Sequence, residues 1–158
     1  MTEPTTPPGA DGRSITITRV FDAPRELVWQ MFTDPEHFRH WFGGGPPMDV
    51  PADRVSLDVQ PGGEWAATMV MPNGDELPFA GRYREVVEPE RLVFTFENVA
   101  DRDDPIAEVA TVLFEDVGGK TEVSLTQAGY MAPEEYAVGL KDGYGKFFDA
   151  IERRLASL

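Results

Sequence analysis

The hydrophobic pattern changes period along the chain, and each change predicts an element. Ile15-Thr16-Ile17-Thr18-Arg19-Val20-Phe21 alternates and is rich in β-branched residues, so it reads as a strand with one buried face. The period then lengthens. Leu27, Val28, Met31 and Phe32 recur at helical spacing, with Asp22 as the expected cap, Pro24 in the first turn and Glu26 near the positive end of the helix dipole. Thr33-Asp34-Pro35-Glu36 repeats that start grammar and opens a second short helix through Phe38, Trp41 and Phe42, which Gly43-Gly44-Gly45-Pro46-Pro47 stops. Alternation then returns, with strands expected at 53–59, 64–71, 77–87, 92–96, 107–115 and 121–127. Turn chemistry separates them at Pro61-Gly62-Gly63, Pro72-Asn73-Gly74-Asp75, Glu88-Pro89-Glu90 and Val117-Gly118-Gly119-Lys120, with an acidic loop over 100–105. Hairpin-length links make the strands antiparallel.

The last segment, 133–158, switches to a helical stripe: Tyr136, Leu140, Tyr144, Phe147, Phe148, Ile151, Leu155 and Leu158. Asp142/Lys146 and Asp149/Arg153 are i,i+4 pairs on its polar side. Gly139, Gly143 and Gly145 fall inside it, and each costs about 0.8–1 kcal/mol relative to Ala. A close approach to a strand, or a bound molecule, is the expected compensation.

The layout defines the class: α+β, a curved antiparallel sheet of about seven strands wrapped on one long C-terminal helix, with two short helices after strand one. Such a sheet is hard to fill with side chains, and gaps between such layers hold small apolar molecules. Trp65, Met69, Met71, Phe79, Tyr83, Phe94 and Phe96 on the sheet, roofed by Leu140, Tyr144, Phe147 and Phe148, are the expected lining, with Trp41 and Phe42 as a gate beside the Gly-rich loop. The alternative for all of them is a dry core. Around Phe94 the opposite register, with Val93 and Thr95 inward, stays open, because a shift of one residue exchanges the faces.

Length and composition narrow the rest. With 158 residues the chain reads as one domain over 14–158 behind a disordered tail at 1–13. The 28 acidic against 14 basic residues leave a net charge of −14, which argues against gripping nucleic acid or an anionic membrane. There is no cysteine, which excludes disulfides, thiolate metal sites and cysteine nucleophiles. No run approaches the ~18 apolar residues of a membrane span, and MTEPTTPPGADG lacks a signal-peptide pattern, so stable membrane insertion is not expected and the location expected is cytoplasmic.

Polar candidates are sparse. His37 and His40, the only histidines, stand i,i+3 beside Glu36, yet a zinc site needs a further ligand that no motif names, so solvated or capping roles are preferred and no metal or cofactor is assigned. Gly43-Gly44-Gly45-Pro46-Pro47 lacks the features of a phosphate loop. Glu97 and Glu108 lie in or beside strands. They read either as acid/base groups in a pocket or, preferred, as ion-pair partners of Arg82, Arg84 or Arg19. Tyr83 is a candidate donor to a ligand, and Asp101, Asp103 and Asp104 read as a solvated loop without calcium-loop spacing. No catalytic triad, glycosidase carboxylate pair or dinucleotide fingerprint stands out, so enzyme activity is left open with no catalytic residue named.

Three stretches, in order, resemble a known family. Val20-Phe21-Asp22-Ala23-Pro24-Arg25-Glu26-Leu27-Val28-Trp29 with Phe32-Thr33-Asp34-Pro35-Glu36 and Trp41-Phe42 is similar to the opening signature of the family named after the activator of the heat-shock protein 90 ATPase, within the START-like (SRPBCC) superfamily. The run from Gly81 to Thr95 resembles its middle signature, and Gly143-Tyr144 with Phe147, Ile151 and Leu155 its last helix, where Trp is more usual than Tyr144. The resemblance implies a helix-grip fold with a deep hydrophobic cavity, in a superfamily of lipid carriers, ligand binders and polyketide cyclases. The expected function is therefore binding of a small hydrophobic or amphipathic ligand. A cyclase-, aromatase- or hydrolase-type enzyme using the same cavity is the alternative, and a chaperone partner the third reading. The family's eukaryotic activators carry an additional amino-terminal domain for which this chain shows no room. Oligomeric state is not legible.

Overall fold

Alternation becomes strand wherever turn chemistry permits. The computed structural model describes residues 12–101, 103–104 and 106–158, and the tail expected over 1–13 falls almost wholly outside them. The elements are β1 (Ser14–Phe21), α1 (Arg25–Thr33), α2 (Pro35–Trp41), β2 (Val55–Leu57), β3 (Glu64–Val70), β4 (Glu76–Val87), β5 (Arg91–Phe96), β6 (Glu108–Val117), β7 (Lys120–Ala128) and α3 (Lys141–Ala156). The strands form one seven-stranded sheet in the order β1-β7-β6-β5-β4-β3-β2, antiparallel throughout. The first strand thus pairs with the last, Ser14 opposite Ala128 and Phe21 opposite Thr121. The Asn73-Gly74 hairpin forms as predicted: Gly74 has φ of 90°, and Asn73 Oδ1 accepts the Asp75 N–H at 2.9 Å.

Several local expectations are corrected. Asp22 does not cap α1. Ala23 N–H donates to Phe21 O at 2.9 Å, and this tight turn consumes Asp22 as a connector, leaving Pro24 at the cap position. α2, by contrast, is capped as expected by Asp34, whose carboxylate accepts the Glu36 N–H at 2.9 Å. The strand expected at 53–59 shrinks to Val55–Leu57, because the chain after Pro51 makes a 3-10 turn over Ala52–Arg54. The terminal helix is not uniform: Glu135–Leu140 is π-helical before α3 begins. Of the two i,i+4 pairs, Asp142–Lys146 forms at 3.2 Å, whereas Asp149 takes Arg19 of β1 at 2.6 Å and Arg153 donates to Gly44 O at 3.0 Å. Those two contacts tie α3 to the sheet on one side and to the Gly-rich loop on the other.

Inward-facing side chains of the sheet meet α1, α2 and the second half of α3. Trp29 and Phe32 of α1 pack edge-on against Phe114 at 5.2 and 5.3 Å, and Phe21 against Phe148 at 5.5 Å. Trp41 donates its indole N–H to Met31 O at 2.6 Å, and Trp65 donates to Thr95 O at 2.9 Å, so both large rings enter the core with their polar atoms satisfied. The second bond requires Gly81: a Cβ there would fall on the Thr95 carbonyl and the Trp65 indole. Just beyond, the β4–β5 register slips between Tyr83 and Glu85, a bulge that bends the sheet. Contacts, not burial, decide the open register of β5, since Val93 and Thr95 are buried as well. Leu92 belongs to the core cluster and the half-buried Phe94 and Phe96 pack against it, while Thr95 turns to the other face and meets Arg82 and Glu97.

Candidate functional site

Beyond this aromatic packing the interior is hollow. A cavity of about 460 Å³ lies between the sheet and the start of the terminal helix. Its sheet wall is Met69, Pro78, Phe79 and Phe96, with Glu97 just past β5, Glu108 on β6 and Gln127 on β7. Its roof is Met131, Leu140, Gly143, Tyr144 and Phe147, and Phe42 closes the end next to the packed core. Pro78 is exposed, so the cavity reaches the surface. In the packed half, the void beneath Phe32, Phe38, Trp65, Tyr83, Leu92 and Phe94 is about 10 Å³, too small for a ligand.

Glycine helps keep the hollow open. A Cβ at Gly143 would meet nothing within 4 Å, so the missing side chain is unfilled space on the cavity wall. The strand approach expected at the helix glycines does not occur: Gly145 also faces open space, and Gly139 sees only the Glu135 carboxylate at 3.5 Å. Nothing in the structure explains Gly145.

The polar part of the wall is a connected network. The Glu108 carboxylate accepts the Tyr136 hydroxyl at 2.5 Å and the Gln127 amide at 3.2 Å on one oxygen, and the Tyr130 N–H at 2.8 Å on the other. Gly129 provides the seat, since a Cβ there would fall on the carboxylate itself. Tyr144 donates its hydroxyl to Gln127 Oε1, and Met131 N–H donates to the Tyr136 oxygen at 3.2 Å. Proton directions in this chain follow from chemistry. A carboxylate only accepts, so the Gln127 nitrogen faces Glu108, its oxygen faces Tyr144, and Tyr144 must donate. Burial and the neighbouring Glu108 push the Tyr136 phenol up to about 12, and burial pushes the Tyr144 phenol up as well. Both stay protonated donors at neutral pH. The Glu97 carboxylate takes Arg82 at 3.0 Å and the Thr95 hydroxyl at 2.8 Å.

The structure sorts the sequence candidates by place. Phe42, Met69, Phe79, Phe96, Leu140, Tyr144 and Phe147 stand on the cavity wall. Trp41, Trp65, Tyr83, Phe94 and Phe148 do not; they belong to the packed core. Met71 lies past the end of β3 and is not on the wall. The alternation located the inward face but not how far along it the packing stops. Trp41 is wedged among Phe32, Phe38 and Phe147 with centroids 4.9–5.7 Å away, while Phe42 beside it borders the cavity. Of the acids, Glu97 has the expected ion pair with Arg82. Glu108 has none of the expected arginines, since Arg19 is taken by Asp149 and Glu152. His37 accepts from Arg154 at 3.2 Å and His40 lies 2.6 Å from Glu36 O; among the described residues no cluster could hold a metal ion. Asp101, Asp103 and Asp104 lie in the loop whose residues 102 and 105 fall outside the described residues. Sequence reading missed Pro78, Gln127, Met131 and Gly143 on the wall. Only Gly143 carried a signal, its helix-breaking cost.

A curved seven-stranded antiparallel sheet closed on its C-terminal helix, with a hollow between them, is a helix-grip fold. The chain belongs to the family described as activator of Hsp90 ATPase homolog 1-like proteins, whose pattern it matches over residues 22–156. Among solved structures it is similar to a Nitrosomonas europaea protein, with 24% identity, 93% of this chain and 96% of that one covered, and TM-score 0.78. It is similar also to the AHSA1-like protein from Aeromonas hydrophila, at 22% identity, 91% and 92% coverage and TM-score 0.75. The AHSA1 protein from Silicibacter pomeroyi follows at 21%, 90% and 97%, and 0.76. At these identities the likeness concerns the fold. No curated protein matches the chain. Among the described residues no helix is long and apolar enough to cross a membrane.

Proposed function

We propose that the protein binds one small hydrophobic or amphipathic molecule in the cavity under the terminal helix. The observation that carries this reading is a hollow of about 460 Å³ with a largely apolar wall, in a domain whose other half is tightly packed. That volume lies within the roughly 300–1,000 Å³ of ligand pockets. Family membership adds support, because helix-grip relatives commonly hold hydrophobic ligands at this place. The proposed contact residues are Phe42, Met69, Phe79, Phe96, Leu140, Tyr144 and Phe147, with Gly143 leaving room for the guest. Native mass spectrometry of the purified protein, followed by titration with aliphatic and aromatic amphiphiles, tests it. Saturable one-to-one binding, weakened when Gly143→Leu fills the wall, is the expected result. No binding from either class overturns the reading.

A second reading, chemistry on the bound molecule, rests on one observation: Glu108, Gln127 and Tyr144 form a continuous hydrogen-bonded chain on the wall. Conversion of a bound polyketide-like substrate that stops in Tyr144→Phe would favour it. Recovery of every guest unchanged would remove it.

A further inference from the structure

The head group of the guest can be read from what the wall offers it. The polar side chains on the wall are Glu97, Glu108, Gln127 and Tyr144. No lysine, arginine or histidine lines the cavity among the described residues. Glu97 is paired with Arg82, whereas among the described residues Glu108 receives hydrogen bonds only from neutral donors: a phenol, an amide and a backbone N–H.

A carboxylate has about four acceptor sites. The structure fills two on Glu108 Oε1 and one on Oε2, which leaves one on Oε2. Tyr144 must donate to Gln127, so its oxygen retains an acceptor site. Against these, the wall's own spare donor is the second N–H of Gln127. At the Glu108 end an anionic head would meet acceptors and negative charge, and among the described residues no cation stands on the wall to offset them: Arg82 is paired with Glu97, and Arg13, whose charge reaches Tyr136, is not on the wall, so the cost goes beyond that of a missing hydrogen bond. A head that donates fills the open sites.

We infer that the cavity selects an amphiphile whose head donates hydrogen bonds and is not anionic, an amine or an alcohol, over a fatty acid. This rests on the cavity being a ligand site, as proposed above. Gly129 is the positioning residue of the arrangement: lacking a Cβ, it seats the carboxylate at the wall, and its backbone φ is not in the left-handed region, so alanine is compatible with the chain path.

The test is a panel of equal chain length at neutral pH, below self-association: decylamine, decanol, methyl decanoate and decanoate, titrated by calorimetry or ligand-observed NMR. Donation is the property that separates the first two from the ester, and charge separates the ester from the acid. The expected result is that decylamine and decanol bind about tenfold or more tightly than methyl decanoate and decanoate. In Gly129→Ala the carboxylate is displaced and this discrimination falls to within about twofold, with the ester's affinity kept. Equal affinity for all four, or a preference for decanoate, overturns the inference and leaves the cavity reading standing. Absence of binding by every member overturns both. The wild-type panel decides the matter even if Gly129→Ala does not fold.

Discussion

The two halves of the interior are built from the same kind of residues and end in opposite states. Beneath α1 and α2, Trp29, Phe32, Phe38, Trp41, Trp65 and Phe114 interlock edge-to-face and leave a void of about 10 Å³. Beneath the start of the terminal helix, Phe42, Phe79, Phe96 and Phe147 surround about 460 Å³ of space. Composition does not explain the difference, since both halves are aromatic. The number of layers does. In the packed half the sheet is covered by two short helices and by the later turns of α3, each contributing rings from a different direction. In the hollow half, among the described residues, the π turn and the first two turns of α3 stand opposite the sheet, and one of their inward positions is Gly143. Edge-to-face rings need neighbours on several sides; with one layer missing they become walls.

The largest effect belongs to the packed half: Phe32→Ala should cost about 3–5 kcal/mol in denaturant unfolding, whereas Phe147→Ala, which already borders empty space, should cost well under half as much. Equal losses would mean that the two halves do not differ energetically. Next, Gly81→Ala drives a methyl into the Thr95 carbonyl and should cost about 1–3 kcal/mol, detected as a lower thermal midpoint with loss of the buried Trp65 fluorescence signal.

A pH effect comes third. Tyr83 in the packed half and Tyr136 and Tyr144 beside the hollow all have phenols raised by burial, Tyr136 to about 12. The folded state therefore holds protons that the unfolded chain releases near pH 10, so stability is whole below about 10 and is lost as pH rises toward 12. Guanidinium midpoints at pH 8 and pH 11 should show this fall, and Tyr136→Phe should make it shallower. An unchanged slope in that variant would remove Tyr136 from the account. The smallest effect has the opposite sign: Gly143→Ala should stabilise by about 0.5–1 kcal/mol, because helix propensity improves and the methyl enters open space. Destabilisation there would mean that the hollow is occupied or closed in solution.

Much of this was readable along the chain. Seven strands, their antiparallel pairing, the Asn73-Gly74 hairpin, the Asp34 cap and the terminal apolar stripe follow from local periodicity and turn chemistry, which act over a few residues. So does the inward face of β3, where Trp65, Ala67 and Met69 alternate with more exposed neighbours. The misplacements share a cause. Trp65, Tyr83 and Phe94 point inward as the alternation requires, yet whether an inward ring meets another ring or a void depends on what lies across the interior, dozens of residues away in sequence. The partner of Arg19, the seat that Gly129 makes for Glu108, and the chain from Tyr144 through Gln127 are of the same kind. Strand and helix identity is a property of neighbours along the chain, so residue order sufficed to set it. The hollow and its acceptor-rich wall are properties of distance across the fold, and they came into being only when the sheet curved over the helix and one layer fell short.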